Sequence, residues 1–224
     1  MRKGSTVRRR ALGVELRGKR EAAGLSAGEV VERLRWSPSR LSKLEHGERG
    51  SADVDVAALL AVCGVADEEF DRLVGLCQES DRDVWVQPFG DGRVLANEEA
   101  RAAGMVGYQP MAVSGLLNVE LSAERREVPG RAGFYVGEEA LRRAGSEQLL
   151  HLLLVPAEVR VVPGQACVNG PFTLLGDAVV HLETLVADIY LERPDHVAAY
   201  RATVGRLSEV AWDVRRSREV LATA

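Results

Sequence analysis

Arg40 and Lys43 stand three residues apart in the stretch Pro38-Ser39-Arg40-Leu41-Ser42-Lys43-Leu44-Glu45-His46. On a helix that spacing brings both cations to one flank. A guanidinium fork can pair with two acceptors at once, as on the edge of guanine, and an ammonium can serve either guanine or a phosphate. Ser39 and Ser42 add hydroxyls that donate or accept. Leu41 and Leu44 supply the inward face, which leaves Ser39, Arg40, Ser42 and Lys43 outward or flanking, with Pro38 at the tip. Taken alone, such a pair of cations is an ordinary solvated helix face. Its meaning depends on the elements that hold it.

Those elements are legible. Ser37 is a good N-cap and Pro38 suits the first helical position, where no N–H is needed. Gly47 closes this helix. Just before it, Ser26-Ala27-Gly28-Glu29 has the form of a capping box, and the helix it starts runs through Val30, Val31 and Leu34 to about Arg35. Two short helices joined by so brief a turn form a helix-turn-helix, in which the second helix enters the major groove of DNA. Ala11 to Ala23 forms an earlier helix, with Leu12 and Leu16 inward and Gly24 at its end. Two more follow: Asp53 to Cys63, and Asp67 to Gln78 with Asp67 as N-cap and acids in the first turn. Residues 10–80 are therefore expected to form a five-helix domain, after a basic arm over 1–9.

Charge is divided along the chain. Residues 1–50 carry 13 Lys/Arg and six Asp/Glu, while residues 51–224 carry 16 and 27. A basic front on an acidic body fits a module that meets phosphate joined to one that does not. Apolar residues make up 46% and charged residues 28%, ordinary for a globular protein. No run approaches the roughly 20 apolar residues of a membrane span, and the basic start lacks the apolar block of a signal peptide. The expected compartment is the cytoplasm, with no membrane partner. Cys63, Cys77 and Cys167, and His46, His151, His181 and His196, make no metal-ligand spacing, and no nucleotide-binding or nucleophile motif is present. No metal or cofactor is expected.

The stretch LRGKREAAGLSAGEVVERLRWSPSRLSKLEHGERG resembles the Cro/repressor-type, XRE-like helix-turn-helix family, most of all its actinobacterial branch. The resemblance implies a lambda-repressor-like DNA-binding domain in a transcriptional regulator. It implies that Ser39, Arg40 and Lys43 reach bases or nearby phosphates, with Arg40 and Lys43 giving affinity and Ser39 selectivity; Pro38 at the tip and Ser42 on the outward flank are expected at the DNA with them. Arg17, Lys19 and Arg8 to Arg10 are candidate phosphate contacts, which position a protein without specifying sequence. Arg20 and Glu45 are implied as a structural salt bridge, and Trp36 as a packing residue. Two positions depart from the family. Arg35 stands where many members have glycine in the turn, and Ala27 stands where many have glutamine, leaving only its backbone N–H for a phosphate.

Residues 81–224 read as an α+β region, so the whole chain is mainly α with an α+β C-terminal part. Expected elements are a short acidic helix over 97–104, a strand over 108–113, and a turn at Pro129-Gly130. A helix over 136–154, a strand over 158–162, a hairpin of 172–175 with 178–183, and a last helix from 194 or 195 to about 220 complete the reading. The region resembles a domain of unknown function that follows this helix-turn-helix in actinobacterial regulators. That resemblance implies modulation by a small cognate regulatory protein. An operator with two-fold symmetry implies a homodimer, the region 81–224 serving regulation, dimerisation or partner binding. A second reading places a small-molecule effector pocket around Phe172, His181 and Tyr190. A third uses the helix-turn-helix as a scaffold for protein interaction. Catalysis is not expected, because Glu98, Glu99, Glu138, Glu139 and His181 show no organised spacing.

Overall fold

The structure is a computed structural model that describes residues 5–48, 52–88, 92–113, 115–118, 131–166 and 170–224. The chain divides into two compact units, Met1–Trp85 and Val86–Ala224. The expected turn at Pro129-Gly130 and Cys167 lie outside the described residues.

The front unit has five helices among its described residues: α1 (Val7–Ala22), α2 (Ala27–Leu34), α3 (Pro38–Glu45), α4 (Asp53–Val62) and α5 (Asp67–Gln78). Leu12, Leu16, Val30, Leu41, Leu44, Val56, Leu59, Leu60, Leu73 and Cys77 form one buried core drawn from all five. Each such aliphatic side chain contributes about 1.5–3 kcal/mol when removed from water. Trp36 is half-buried against this core. Cys63 and Cys77 belong to the same packing, and burial pushes both thiols up, Cys77 to about 11.

The start of α1 differs from expectation. Thr6 caps the helix by accepting from Arg9 N–H, and Val7 is fully buried. Residues 7–9 are thus helix rather than arm. Arg8 pairs with Glu79 at 2.6 Å and Arg9 with Asp81 at 3.1 Å. These pairs tie Glu79, at the end of α5, and Asp81 to α1. At α5 the N-cap is Ala66, and Asp67 already lies within the helix, at φ 55°.

Helices α1 to α4 all end alike. One residue turns left-handed, its N–H returns to the carbonyl three residues back, and the next N–H returns to the carbonyl five back, the Schellman pattern. The left-handed residues are Gly24, Arg35, Gly47 and Gly64. Only Arg35 has a side chain.

The back unit is built on a mixed sheet. The sheet's described strands are β1 (Val84–Pro88, whose first two residues precede the unit's boundary), β2 (Met105–Gln109), β3 (Ala132–Gly137), β4 (Glu158–Val162), β5 (Phe172–Leu175), β6 (Val179–Glu183) and β7 (Ala187–Leu191). The order is β1-β7-β6-β5-β2-β3-β4. Strands β2, β3 and β4 run parallel, while β2-β5, β5-β6 and β6-β7 are antiparallel. The helices are α6 (Arg93–Arg101), α7 (Glu138–Arg142), α8 (Ser146–Leu154), α9 (Pro194–Val210) and α10 (Val214–Thr223). Val197, Leu207 and Ala211 bring α9 and its end onto Tyr108, Val162, Phe172, Leu174 and Val180.

Several expected elements are redrawn. The helix over 136–154 is three pieces: Val136 and Gly137 end β3, and α7 and α8 follow. The last helix is broken, because Trp212 N–H donates to Val161 O at 2.9 Å and Asp213 starts a new helix by accepting from Arg216 N–H. The Ser217 hydroxyl accepts Val161 N–H at 3.0 Å, so the outer edge of β4 is covered by the chain's own end. The first helix of this unit spans 93–101 rather than 97–104, and the strand expected over 108–113 spans 105–109.

Candidate nucleic-acid interface

The α2–turn–α3 unit is fixed at each junction. The Ser26 hydroxyl accepts Glu29 N–H at 3.2 Å, and the Glu29 carboxylate accepts Ser26 N–H at 2.8 Å. The Ser26 hydroxyl also donates to that carboxylate at 2.7 Å, and this bond, then the one from Ser26 N–H, holds the Glu29 carboxyl below its ordinary range. At the other end of α2, Arg35 N–H donates to Glu32 O and Trp36 N–H to Val31 O. The Ser37 hydroxyl then accepts Arg40 N–H at 3.3 Å, and Pro38 opens α3.

Helix α3 is pressed onto α1. A Cβ at Gly13 would lie 2.5 Å from Glu45 O, and one at Gly47 would lie 2.4 Å from Arg9 O. Only glycine allows backbones so close. Beside this contact Arg20 meets Glu45 through two bonds, Nε to Oε1 at 2.6 Å and Nη2 to Oε2 at 3.1 Å. Both side chains are buried to about nine-tenths. Arg20 also donates to Leu25 O, which ties the α1–α2 connection to the same group.

With Leu41 and Leu44 inward, Pro38, Ser39, Ser42 and Lys43 are exposed. The Ser42 carbonyl is 2.7 Å from His46 Nδ1. Arg40 is engaged elsewhere: its Nη2 lies 2.5 Å from Asp55 Oδ1, its Nε donates to Asp55 Oδ2 at 3.2 Å, and its guanidinium lies 4.8 Å from the Trp36 ring centroid. Arg17 is bonded to Glu21 and Lys19 to Glu69. Ala27 is the exposed first residue of α2, where backbone N–H groups have no partner within the helix.

A division of charge emerges. In the front unit Arg8, Arg9, Arg17, Lys19, Arg20, Arg40, Arg72 and Arg82 each meet a carboxylate. Arg10 is held by the Ser5 carbonyl. Among the described residues, Arg33, Arg35 and Lys43 have no such partner. All three are exposed, and all belong to α2, the turn and α3. Arg33 and Asp55 carry no local sequence signal for such a role, and Arg35 stands out in the sequence only as a non-glycine residue in the turn. Arg35 does have φ 53° and ψ 41°, a left-handed geometry costing a non-glycine residue about 1 kcal/mol.

The expected effector pocket does not assemble. In the β5–β6 register Thr173 faces His181, so Phe172 shares a face with Leu182, and His181 with Tyr190 occupies the other. Phe172 packs on Tyr108 and Tyr200. His181 contacts Tyr190 and bonds Asp188 at 2.7 Å. All three expected pocket residues are buried, on opposite sides of one sheet. An open cleft of about 490 Å³ lies elsewhere in the unit, over Val106, Leu174 and Val204, with Arg131, Arg201 and Asp177 also lining it. Among the described residues no group of three or more His, Cys, Asp or Glu is gathered to hold a metal, and no helix is long and apolar enough to cross a membrane.

The front unit is a helix-turn-helix domain. Residues 11–73 match the family model of that name, and residues 118–223 match a domain of unknown function (DUF5753). No curated protein matches the chain. Among solved structures it is similar to TrmBL2, an archaeal chromatin protein described as showing a novel mode of DNA binding, at 16% identity and TM-score 0.40. That match covers 65% of this chain and 59% of the archaeal one. It is also similar to Nuc, a phospholipase D family member from Salmonella typhimurium, at 14% identity and TM-score 0.42, over 58% of this chain and 96% of Nuc. NucT from Helicobacter pylori aligns at 9% identity and TM-score 0.40, over 57% of this chain and 96% of its own. These three alignments are too loose to define a shared fold.

Proposed function

We propose that the chain is a sequence-specific, double-stranded-DNA-binding transcriptional regulator of the XRE-like kind, with α3 as the helix that enters the major groove. The observation that carries this is the charge division. Among the described residues of the front unit, Arg33, Arg35 and Lys43 make no ion pair at contact distance, though Arg33 lies in the field of Glu29, and all three are on α2–turn–α3. Cations not spent on the domain's own acids are available to neutralise phosphate. Lys43 and Ser39 are the leading base or near-base contacts. Arg40 acts through its remaining N–H groups or by leaving Asp55. Arg17 and Lys19 keep a lesser role, since each already spends its charge on an acid.

Two copies are expected on DNA, because a two-fold operator matches a two-fold protein. The back unit is the regulatory part, modulated by a small cognate protein. The open cleft over Val106, Leu174 and Val204 favours a second reading, in which that unit takes a small-molecule effector. Neither reading is enzymatic. His181 is buried against Asp188, and Glu139 is bonded to Arg143.

A duplex enriched by the protein from a random-sequence pool tests the proposal. Affinity should fall steeply as salt rises. Arg40→Ala with Lys43→Ala should reduce affinity for the enriched duplex by at least about tenfold, as loss of base or phosphate contacts does. Unchanged affinity in that double variant would sink the assignment of α3.

A further inference from the structure

Arg35 occupies a position where its backbone gains nothing from being arginine. The three equivalent helix ends carry Gly24, Gly47 and Gly64, each at positive φ without cost. Arg35 adopts the same left-handed geometry with a long side chain attached. Inside the domain that side chain repays nothing: it is exposed and makes no hydrogen bond, ion pair or ring contact among the described residues. Retained strain with no internal return points to an external partner.

The place of the residue says which partner. Arg35 sits between the last turn of α2, which bears exposed Arg33, and Ser37-Pro38, the start of α3. In a helix-turn-helix the first residues of the second helix approach the base edges. The turn leading into them runs beside the flanking phosphates. A guanidinium there meets phosphate oxygens through paired N–H donors. We infer that Arg35 is a phosphate-clamping residue of the turn, and that stability is given up for DNA affinity at this position. The inference rests on the DNA-binding reading above.

The test uses the full chain, a labelled duplex of arbitrary sequence about 30 base pairs long, and NaCl from about 50 to about 200 mM, where phosphate contacts dominate binding. Arg35→Gly should unfold at a higher temperature than the parent and bind the duplex about three- to tenfold more weakly. Its plot of log affinity against log salt should be shallower by about 0.9, the slope of one lost phosphate contact. Arg35→Lys keeps the charge and the strained backbone, so it should hold the parent's unfolding temperature and most of its affinity. Equal affinity and equal salt slope for Arg35→Gly and the parent overturn the inference while leaving the DNA-binding reading intact. A lower unfolding temperature in Arg35→Gly also overturns it, because the strain would then be absent. A parent protein that binds no duplex even at the lowest salt brings down both.

Discussion

Asp55 holds Arg40 by both carboxylate oxygens, reaching from the first turn of α4 to the outer flank of α3. The carboxylate is nearly buried, while half of the Arg40 side chain remains exposed. Stacking on Trp36 orients the guanidinium further. Arg40 is therefore a placed cation, and its approach to DNA competes with an acid of its own domain.

Removing that competitor is the direct test. Asp55→Asn should tighten duplex binding about three- to tenfold at low salt, with the gain shrinking as salt rises. It should also lower folding stability by about 1 kcal/mol, because the pair is only partly screened from water. Binding isotherms beside urea unfolding read both effects. A variant that loses stability and binds no tighter would make the pair purely structural.

Gly13 and Gly47 give the second prediction, on the positioning of α3. A methyl group at residue 13 meets the Glu45 carbonyl, and the neighbouring backbone atoms leave it no soft direction to move. Gly13→Ala should therefore cost about 2 kcal/mol or more and weaken duplex binding as well. Gly18 lies on the same helix with nothing near its missing Cβ. Gly18→Ala should be neutral or slightly stabilising. Similar unfolding midpoints for the two variants would refute close α1–α3 contact.

These relationships differ in how far the sequence revealed them. Ser26, Glu29, Ser37 and Pro38 act within three or four residues of themselves, so their types and spacing name their roles. The bond from Arg40 to Asp55 spans 15 residues and depends on how α4 packs, which no local pattern encodes. The same limit applies in the back unit. Trp212 ends α9 by bonding to β4, at a point where the chain has neither glycine nor proline. Strand β7 was hidden because Asp188, a buried acid paired with His181, breaks the apolar alternation of Ala187–Leu191. Phe172 and His181 share ring chemistry in the sequence, but only the register with Thr173 opposite His181 shows that they face opposite sides.

Acid should loosen the front unit through Glu69. Lys19 from α1 and Arg72 within α5 both bond its carboxylate, and Arg72 also binds Glu15 of α1. The bonds from Arg72 and then Lys19 hold the Glu69 carboxyl down at about 2, against 4.5 for a free one. A depressed folded-state value means the stabilisation is fully present above pH 4.5 and is lost as pH falls from there toward 2. Glu69→Gln should be less stable than the parent at neutral pH and should lose less stability across that acid range. Chemical denaturation at several pH values checks it. Parallel pH profiles for parent and variant would show that this carboxylate does not couple to folding.

Arg20 and Glu45 form a nearly buried, doubly bonded pair between α1 and α3. Glu45→Ala would strand a buried guanidinium beside the Leu25 carbonyl, a loss of about 3 kcal/mol. Replacing both partners at once, Arg20→Met with Glu45→Leu, removes two desolvated charges together and should recover most of that loss. Duplex binding supplies the discriminating readout, because neither residue lies on the exposed flank of α3. The double variant should fold and bind within about threefold of the parent, a difference of under about 1 kcal/mol. If it folds stably yet binds no duplex, then the pair does more than hold α1 to α3: it sets the angle at which Ser39 and Lys43 are presented.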